Sequence, residues 1–196
     1  MQGSHILNQL LAHASVSKVT SLVRRPSPHP IIDPSSKLTE SIESTTDSWP
    51  SKLGSILPSP SPVLFSALGT TRADAGGIEA QRKIDYTLNF DLAKAAKDAG
   101  VKTYVLISSM GANAKAWAPY SAMKGQLEDD VIALGFDKTV IVQPGLIVGH
   151  RETSRFVERP LHSLANLLGS ISPILKNAWA QDADAIAKAA VRAGIA

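Results

Sequence analysis

Residues Ala93–Ala112 read AKAAKDAGVKTYVLISSMGA, and glycines divide them into a helix, a strand and an exit. Helix-forming composition, carried from about Ile78 with Leu88, Leu92, Ala95, Ala96 and Ala99 available to one apolar side, stops at Gly100. The run Val101–Ser109 is apolar rather than alternating, ends in two serines, and has Gly111 just beyond its polar end. A strand that is apolar on both sides needs cover on both faces, which is the signature of a parallel sheet.

Working outward from this unit, the same alternation recurs. VLFSAL at Val63–Leu68 runs into Gly69, Thr70 and Thr71, so it reads as a buried strand entering a loop. A helix of roughly Tyr120–Leu134 stops at Gly135, and TVIVQPG supplies a further strand ended by Pro144 and Gly145. QDADAIAKAAVRAG is helical by composition, with Asp182 and Asp184 as favourable charges near its start. Toward the amino terminus, HILNQLLAHA places Ile6, Leu7, Leu10, Leu11 and Ala14 along a helical stripe, and VTSLVRR from Val19 follows as a strand with a basic end. The expected architecture is a parallel α/β sheet with helices on both faces.

Residues 26–62 differ in texture. They hold eight of the twelve prolines and ten serines, and read as irregular chain around one short edge strand and a helical turn. No repeat or second domain is evident, so residues 1–196 are expected to form one domain.

Composition removes several functions. Cysteine is absent, which excludes disulfides, thiolate zinc sites, iron–sulfur centres and a cysteine nucleophile. Twenty Lys plus Arg against seventeen Asp plus Glu leave a net charge of +3, spread rather than blocked, so no nucleic-acid partner is expected. No apolar run approaches bilayer-spanning length. His5, His13, His29, His150 and His162 show no compact ligand spacing, and no metal is expected. Trp49 and Trp117 are candidates to shape a substrate mouth or cover loops, and Arg151 to approach an anion.

In a parallel α/β sheet, ligands bind beyond the carboxyl ends of the strands, so three exits matter: Ser66–Thr71, Ser108–Ala112 and Gln143–Gly145. Beside them stands Tyr120-Ser-Ala-Met-Lys124. Helical spacing of four residues brings Tyr120 and Lys124 onto one face, about 5–6 Å apart at Cβ. The ammonium then favours the tyrosinate, the help a phenol titrating near pH 10 needs to exchange a proton. A strand-exit serine is placed to orient a carbonyl or alcohol. The structural alternative is a packed tyrosine ring, a solvated lysine and serines that cap backbone.

With SLVRR at Ser21–Arg25, SALGTTRADAGG at Ser66–Gly77, AKAAKDAGVKTYVLISSMGA, YSAMK and QPGLIVG at Gln143–Gly149, the chain resembles the atypical short-chain dehydrogenases/reductases. Within them it is most similar to the fungal mitochondrial outer-membrane proteins related to the animal Tat-interacting oxidoreductase-like protein. The resemblance implies a Rossmann-like, doubly wound parallel sheet. It implies Tyr120 as proton donor or acceptor, Lys124 as its electrostatic partner and nicotinamide-ribose contact, and Ser109 as the substrate-orienting serine, with Ser108 as the register alternative. Ala67, Leu68 and Gly69, with Pro144, Gly145 and Leu146, would line the dinucleotide through backbone groups. Arg24 and Arg25 close the second strand of the resembled fold, where positive charge suits a 2′-phosphate and tilts the cofactor toward NADP.

The departure from the family is at the amino terminus. Family members begin with a strand and a glycine-rich turn, whereas this chain opens MQGSHIL, leaving Gly3 as the last glycine of the fingerprint. A sheet lacking its first strand is expected, from a truncated product, a shortened isoform or an inactive descendant. The expected function is an NADPH-dependent oxidoreductase acting on a small carbonyl or alcohol and attached peripherally to the mitochondrial outer membrane. The alternative is a noncatalytic mitochondrial scaffold with a protein partner. The first 32 residues contain no Asp or Glu, which suits a targeting segment, but the family's first helix and second strand account for the same stretch.

Overall fold

The computed structural model describes residues 2–26, 31, 33–57, 63–148 and 180–196. In chain order these form α1 (Gln2–Ala12), β1 (Val19–Val23), β2 (Leu38–Ile42), α2 (Trp49–Ile56), β3 (Val63–Ser66), α3 (Arg72–Ala75), α4 (Ile78–Arg82), α5 (Asn89–Asp98), β4 (Thr103–Ile107), α6 (Pro119–Ala133), β5 (Lys138–Val142), β6 (Leu146–Val148), β7 (Ala180–Asp182) and α7 (Ala183–Ile195). Every strand pairing is parallel, as the apolar strands required.

The expected alternation of faces appears residue by residue. Along β4, Tyr104 and Leu106 join one core with Trp49, Leu53, Leu92, Ala96, Leu127 and Val131, from α2, α5 and α6. Val105 and Ile107 face the other way, onto Ile6 of α1 and Ala187, Ala190 and Val191 of α7. Leu64 of β3 follows the first core, whereas Val63 and Phe65 follow the second. The period-2 reversal of side chains in a strand produces this two-sided packing.

The sheet is not one continuous ladder among the described residues. It falls into β1–β2, β3–β4–β5 and β6–β7. Among the described residues β1 pairs only with β2, and β3 only with β4. Their residues show the consequence: Leu22, Val23, Val63, Leu64 and Phe65 are all only partly buried, whereas four of the five β4 residues are fully buried.

The Pro/Ser-rich stretch contains more order than irregular chain requires. Its edge strand is β2, in register with β1 from Val19 opposite Leu38 to Val23 opposite Ile42. Its helical turn is the eight-residue α2, which starts with Pro50 in its first turn and buries Trp49 and Leu53. The long helix expected from Ile78 to Ala99 is also subdivided. Lys83–Leu88 widen into a π-helical turn between α4 and α5. Asn89 stabilises this turn: its Nδ2 donates to the Ile84 carbonyl at 3.0 Å, an acceptor that the widened ladder shifts out of register.

Candidate active site

Parallel pairing aligns the strand exits. The Ser108 N–H donates to the Val142 carbonyl at 2.8 Å and the Met110 N–H to the Pro144 carbonyl at 2.8 Å, so the β4 and β5 exits continue side by side past the ladder. β3 pairs with the other edge of β4, Ser66 opposite Leu106, which brings the Ala67–Thr71 exit to the same end of the sheet. The three exits thus converge.

Helix α6 delivers the Tyr-Lys pair to this end. Pro119 occupies its first turn after an extended Ala118, and Tyr120 follows immediately. The loop before it is folded tightly: Asn113 N–H donates to the Ser121 carbonyl at 3.0 Å, and Gly111 adopts a φ of +78°. At Gly125 a Cβ would lie 2.1 Å from the Ala114 nitrogen and 2.2 Å from the Asn113 carbonyl carbon. Only glycine lets the loop approach the helix this closely, one residue after Lys124.

Tyr120 is 41% exposed and Lys124 only 3%, so the tyrosine is open to solvent while the lysine is enclosed along most of its length. Lys124 forms no hydrogen bond or ion pair among the described residues. Burial lowers its proton affinity, partly offset by Asp85 and then by Glu128. Burial also raises the Tyr120 phenol above its ordinary value; the nearby Ser109 hydroxyl pulls it down and Asp85 pushes it up. Burial is the largest influence on both groups, and Asp85, then Glu128, favour the charged lysine.

Ser108 and Ser109 both have buried Oγ atoms without a hydrogen-bond partner of ordinary geometry. Gly69 is exposed, and Gly3 of α1 faces Ala67, where an added Cβ would come within 3.9 Å of the Ala67 Cβ. Pro144 is buried, Gly145 is half-buried and Leu146 opens β6. Arg24 and Arg25 are exposed directly beyond the carboxyl end of β1. Two unpartnered hydroxyls, a buried unpaired ammonium and an open glycine backbone are a donor set that fits a polar, phosphate-bearing ligand.

Sequence reasoning missed the support beneath this site. Asp85 is 1% exposed, and its carboxylate accepts from the Thr70 N–H at 2.6 Å and from Gln81 Nε2 at 3.1 Å. Asn89, fully buried, accepts from Ser66 Oγ at 2.7 Å. Asp85 stands three residues before Leu88 and seven before Leu92, and Asn89 three before Leu92, so both lie on the helix's buried side, where a polar residue within an apolar stripe was the available signal.

Other candidates resolve simply. Asp182 caps α7, accepting from the N–H groups of Asp184 at 2.8 Å and Ala185 at 3.4 Å. Asp184 ties α1 to α7 through Gln9 at 2.7 Å and pairs with Lys188 at 2.8 Å. Trp49 is buried in the core, with its indole nitrogen donating to the Glu43 carbonyl at 2.8 Å, whereas Trp117 is 98% exposed in the loop before α6. No metal-binding cluster occurs among the described residues. His29, His150, Arg151 and His162 lie outside the described residues.

Comparison with known proteins gives this geometry its family. The family model described as NAD(P)H-binding matches residues 1–172. The chain belongs to the NAD(P)H-binding family. Its relatives include the protein fmp52-1, mitochondrial, of Aspergillus oryzae, 51% identical across 100% of this chain and 82% of the relative. The protein fmp-52, mitochondrial, of Neurospora crassa is 44% identical over 97% of this chain and 80% of its own. Among solved structures, the Bordetella bronchiseptica enzyme WbmH in complex with NAD+ superposes with a TM-score of 0.70 at 18% identity, covering 100% of this chain and 69% of that one. MoeE5 in complex with UDP-glucose and NAD gives 0.63 at 20% identity, over 83% and 57%. At these identities the structures show a shared Rossmann-like fold. A nicotinamide dinucleotide is the cofactor class of the family, and the donor set fits it.

Proposed function

We propose that this chain is an NADP-dependent oxidoreductase interconverting a small carbonyl and alcohol. The supporting observation is the convergence of Tyr120, Lys124 and the buried Ser109 hydroxyl at the strand exits of an NAD(P)H-binding family member. The bound nicotinamide supplies hydride transfer. Ser109, whose hydroxyl lies beside the Tyr120 phenol, holds the substrate oxygen, and Ser108 is the neighbouring alternative. Tyr120, a phenol that already keeps its proton at neutral pH and is raised further by burial, donates that proton to the oxygen in the reductive direction. Lys124 places positive charge beneath the phenol and toward the ribose. The backbone of Ala67–Gly69 and Pro144–Leu146, with Gly3, lines the dinucleotide, and Arg24 and Arg25 meet a 2′-phosphate.

The relatives' names carry a mitochondrial location, and at 51% identity we extend it to this chain. Attachment to the outer membrane is peripheral in this reading, since no described helix is long and apolar enough to cross a membrane.

The test is a titration of the 196-residue chain with NADPH, following nicotinamide fluorescence and thermal stability together. Saturable binding with a matching stability gain is expected. Replacing Arg24 and Arg25 by Ala should weaken NADPH about tenfold while sparing NADH. Tyr120→Phe should cut turnover about 10²- to 10⁴-fold with NADPH binding retained. Folded protein that does not bind NADPH refutes the catalytic reading. That outcome favours the noncatalytic scaffold, for which the strand edges of β1 and β3 are the specific support.

A further inference from the structure

Asp85 is a buried carboxylate that the proposed reaction does not use. It projects from the π-helical turn beneath the β3 exit, where Thr70 N–H reaches one oxygen at 2.6 Å and Gln81 Nε2 the other at 3.1 Å. The same Gln81 amide donates to the Thr70 carbonyl at 3.2 Å, closing a ring of contacts around one loop residue. Gly69 completes the enclosure, since a Cβ there would come within 3.8 Å of Asp85 Oδ1. On α6, Lys124 is enclosed and feels the charge of this carboxylate, with Glu128 one turn further along its own helix and Tyr120 one turn before it.

An asparagine would serve the loop nearly as well. Its oxygen accepts from Thr70 N–H, and a rotated Gln81 amide presents an oxygen to its NH₂. Burying a charge costs several kcal/mol more than burying an amide, so a structural role alone argues against aspartate. What asparagine does not provide is negative charge beside a lysine that is itself buried and without an ion-pair partner among the described residues.

We propose that Asp85 is a positioning residue: its oxygens fix the Gly69–Thr70 backbone at the cofactor edge of the sheet, and its charge is the counter-charge that keeps Lys124 an ammonium beneath Tyr120. The role given to Lys124 rests on the oxidoreductase reading, but the Asp85–Lys124 coupling is a property of the cofactor-free chain. Burial lowers the lysine's proton affinity, with Asp85 the larger of the two groups opposing it, and raises that of the Asp85 carboxyl, opposed by the Thr70 N–H, Gln81 and then Lys124; both carboxylate oxygens accept hydrogen bonds, as the charged form requires.

The experiment follows the Lys124 side-chain resonance by NMR of ¹⁵N-lysine protein without cofactor, assigned with Lys124→Arg. Asp85→Asn should lower the Lys124 titration midpoint by about one pH unit or more. Gln81→Met, which removes a hydrogen bond and no charge, should leave it within a few tenths. Coupling is reciprocal, so Lys124→Met should raise the midpoint of the Asp85 carboxyl carbon by a comparable amount. A folded Asp85→Asn protein with an unmoved Lys124 midpoint overturns the proposal. If that variant does not fold, an unmoved Asp85 midpoint in Lys124→Met overturns it instead. Failure of the wild-type chain to bind NADPH would remove the oxidoreductase reading while leaving both titrations to decide the role of Asp85.

Discussion

Tyr104 places a phenol where a phenylalanine would do. It is fully buried and stacked on Phe136 at 5.0 Å between centroids, and its hydroxyl has no hydrogen-bond partner of ordinary geometry. Burial holds its proton far more tightly than in the unfolded chain. A raised folded value contributes stability that is intact below pH 10 and is lost as the pH rises beyond it. Lys124 has the opposite sign: its lowered value costs stability at neutral pH, and the cost is relieved as the pH climbs toward 10.5. Tyr104→Phe is therefore expected to change stability by less than about 1 kcal/mol at pH 7 and to delay alkaline unfolding. Urea unfolding of both proteins at pH 7 and above pH 10 checks this, and equal alkaline losses would contradict it. Since Tyr86 and Tyr120 are raised as well, all three tyrosines should ionise later in the folded chain than in urea, read as delayed phenolate absorbance.

The same scale shows what a sequence carries and what it hides. Tyr120 and Lys124 were legible because four-residue spacing in an α-helix has one geometric meaning. Their electrostatics were not, because the charge that acts on Lys124 comes from Asp85, 39 positions earlier, and no spacing connects them. Asp85 and Asn89 keep the helical spacing of Leu88 and Leu92, so their face was legible, but the partners they hold, Thr70 and Ser66, lie 15 and 23 positions earlier and no spacing points to them.

At the scale of elements, close packing makes two glycines unreplaceable for different reasons. On α7, a Cβ at Gly194 would meet Phe65 Cζ at 2.7 Å and Val105 Cγ2 at 2.8 Å. These are side-chain atoms that can shift, so Gly194→Ala should destabilise by about 1–3 kcal/mol and leave the strand exits in place. At Gly125 the obstruction is backbone, at 2.1–2.5 Å from Asn113 and Ala114. Gly125→Ala must displace the loop or the helix that carries Lys124. It should therefore reduce NADPH affinity as well as the unfolding temperature, whereas Gly194→Ala should lower the temperature alone. Parallel thermal melts and NADPH titrations separate the two. Neither contact was visible in the sequence, where both glycines resembled helix-weakening residues. The helices and strands themselves were visible because Gly100 and Gly135 stop them in positive-φ caps.

Across the whole molecule, the separation of the β1–β2 ladder from β3–β4–β5 divides the stability of the strands. β4 has partners on both edges and helices on both faces, and its backbone should exchange amide protons only on global unfolding. β1–β2 is a two-stranded ladder attached to the rest through α1 and α2, and its strands keep half-exposed side chains. Two strands without further partners are marginal on their own. Native-state hydrogen exchange should therefore show β1 and β2 opening at lower free energy than β3–β5, as a separate unit. NADPH, by engaging Arg24 and Arg25 at the end of β1 together with the β3 and β5 exits, should bring the two units closer in protection. A scaffold whose partner covers the strand edges should instead gain protection at β1 and β3 from that partner and none from the nucleotide. Uniform protection across all five strands in the free chain would show that the helices alone make the separate ladders one cooperative body.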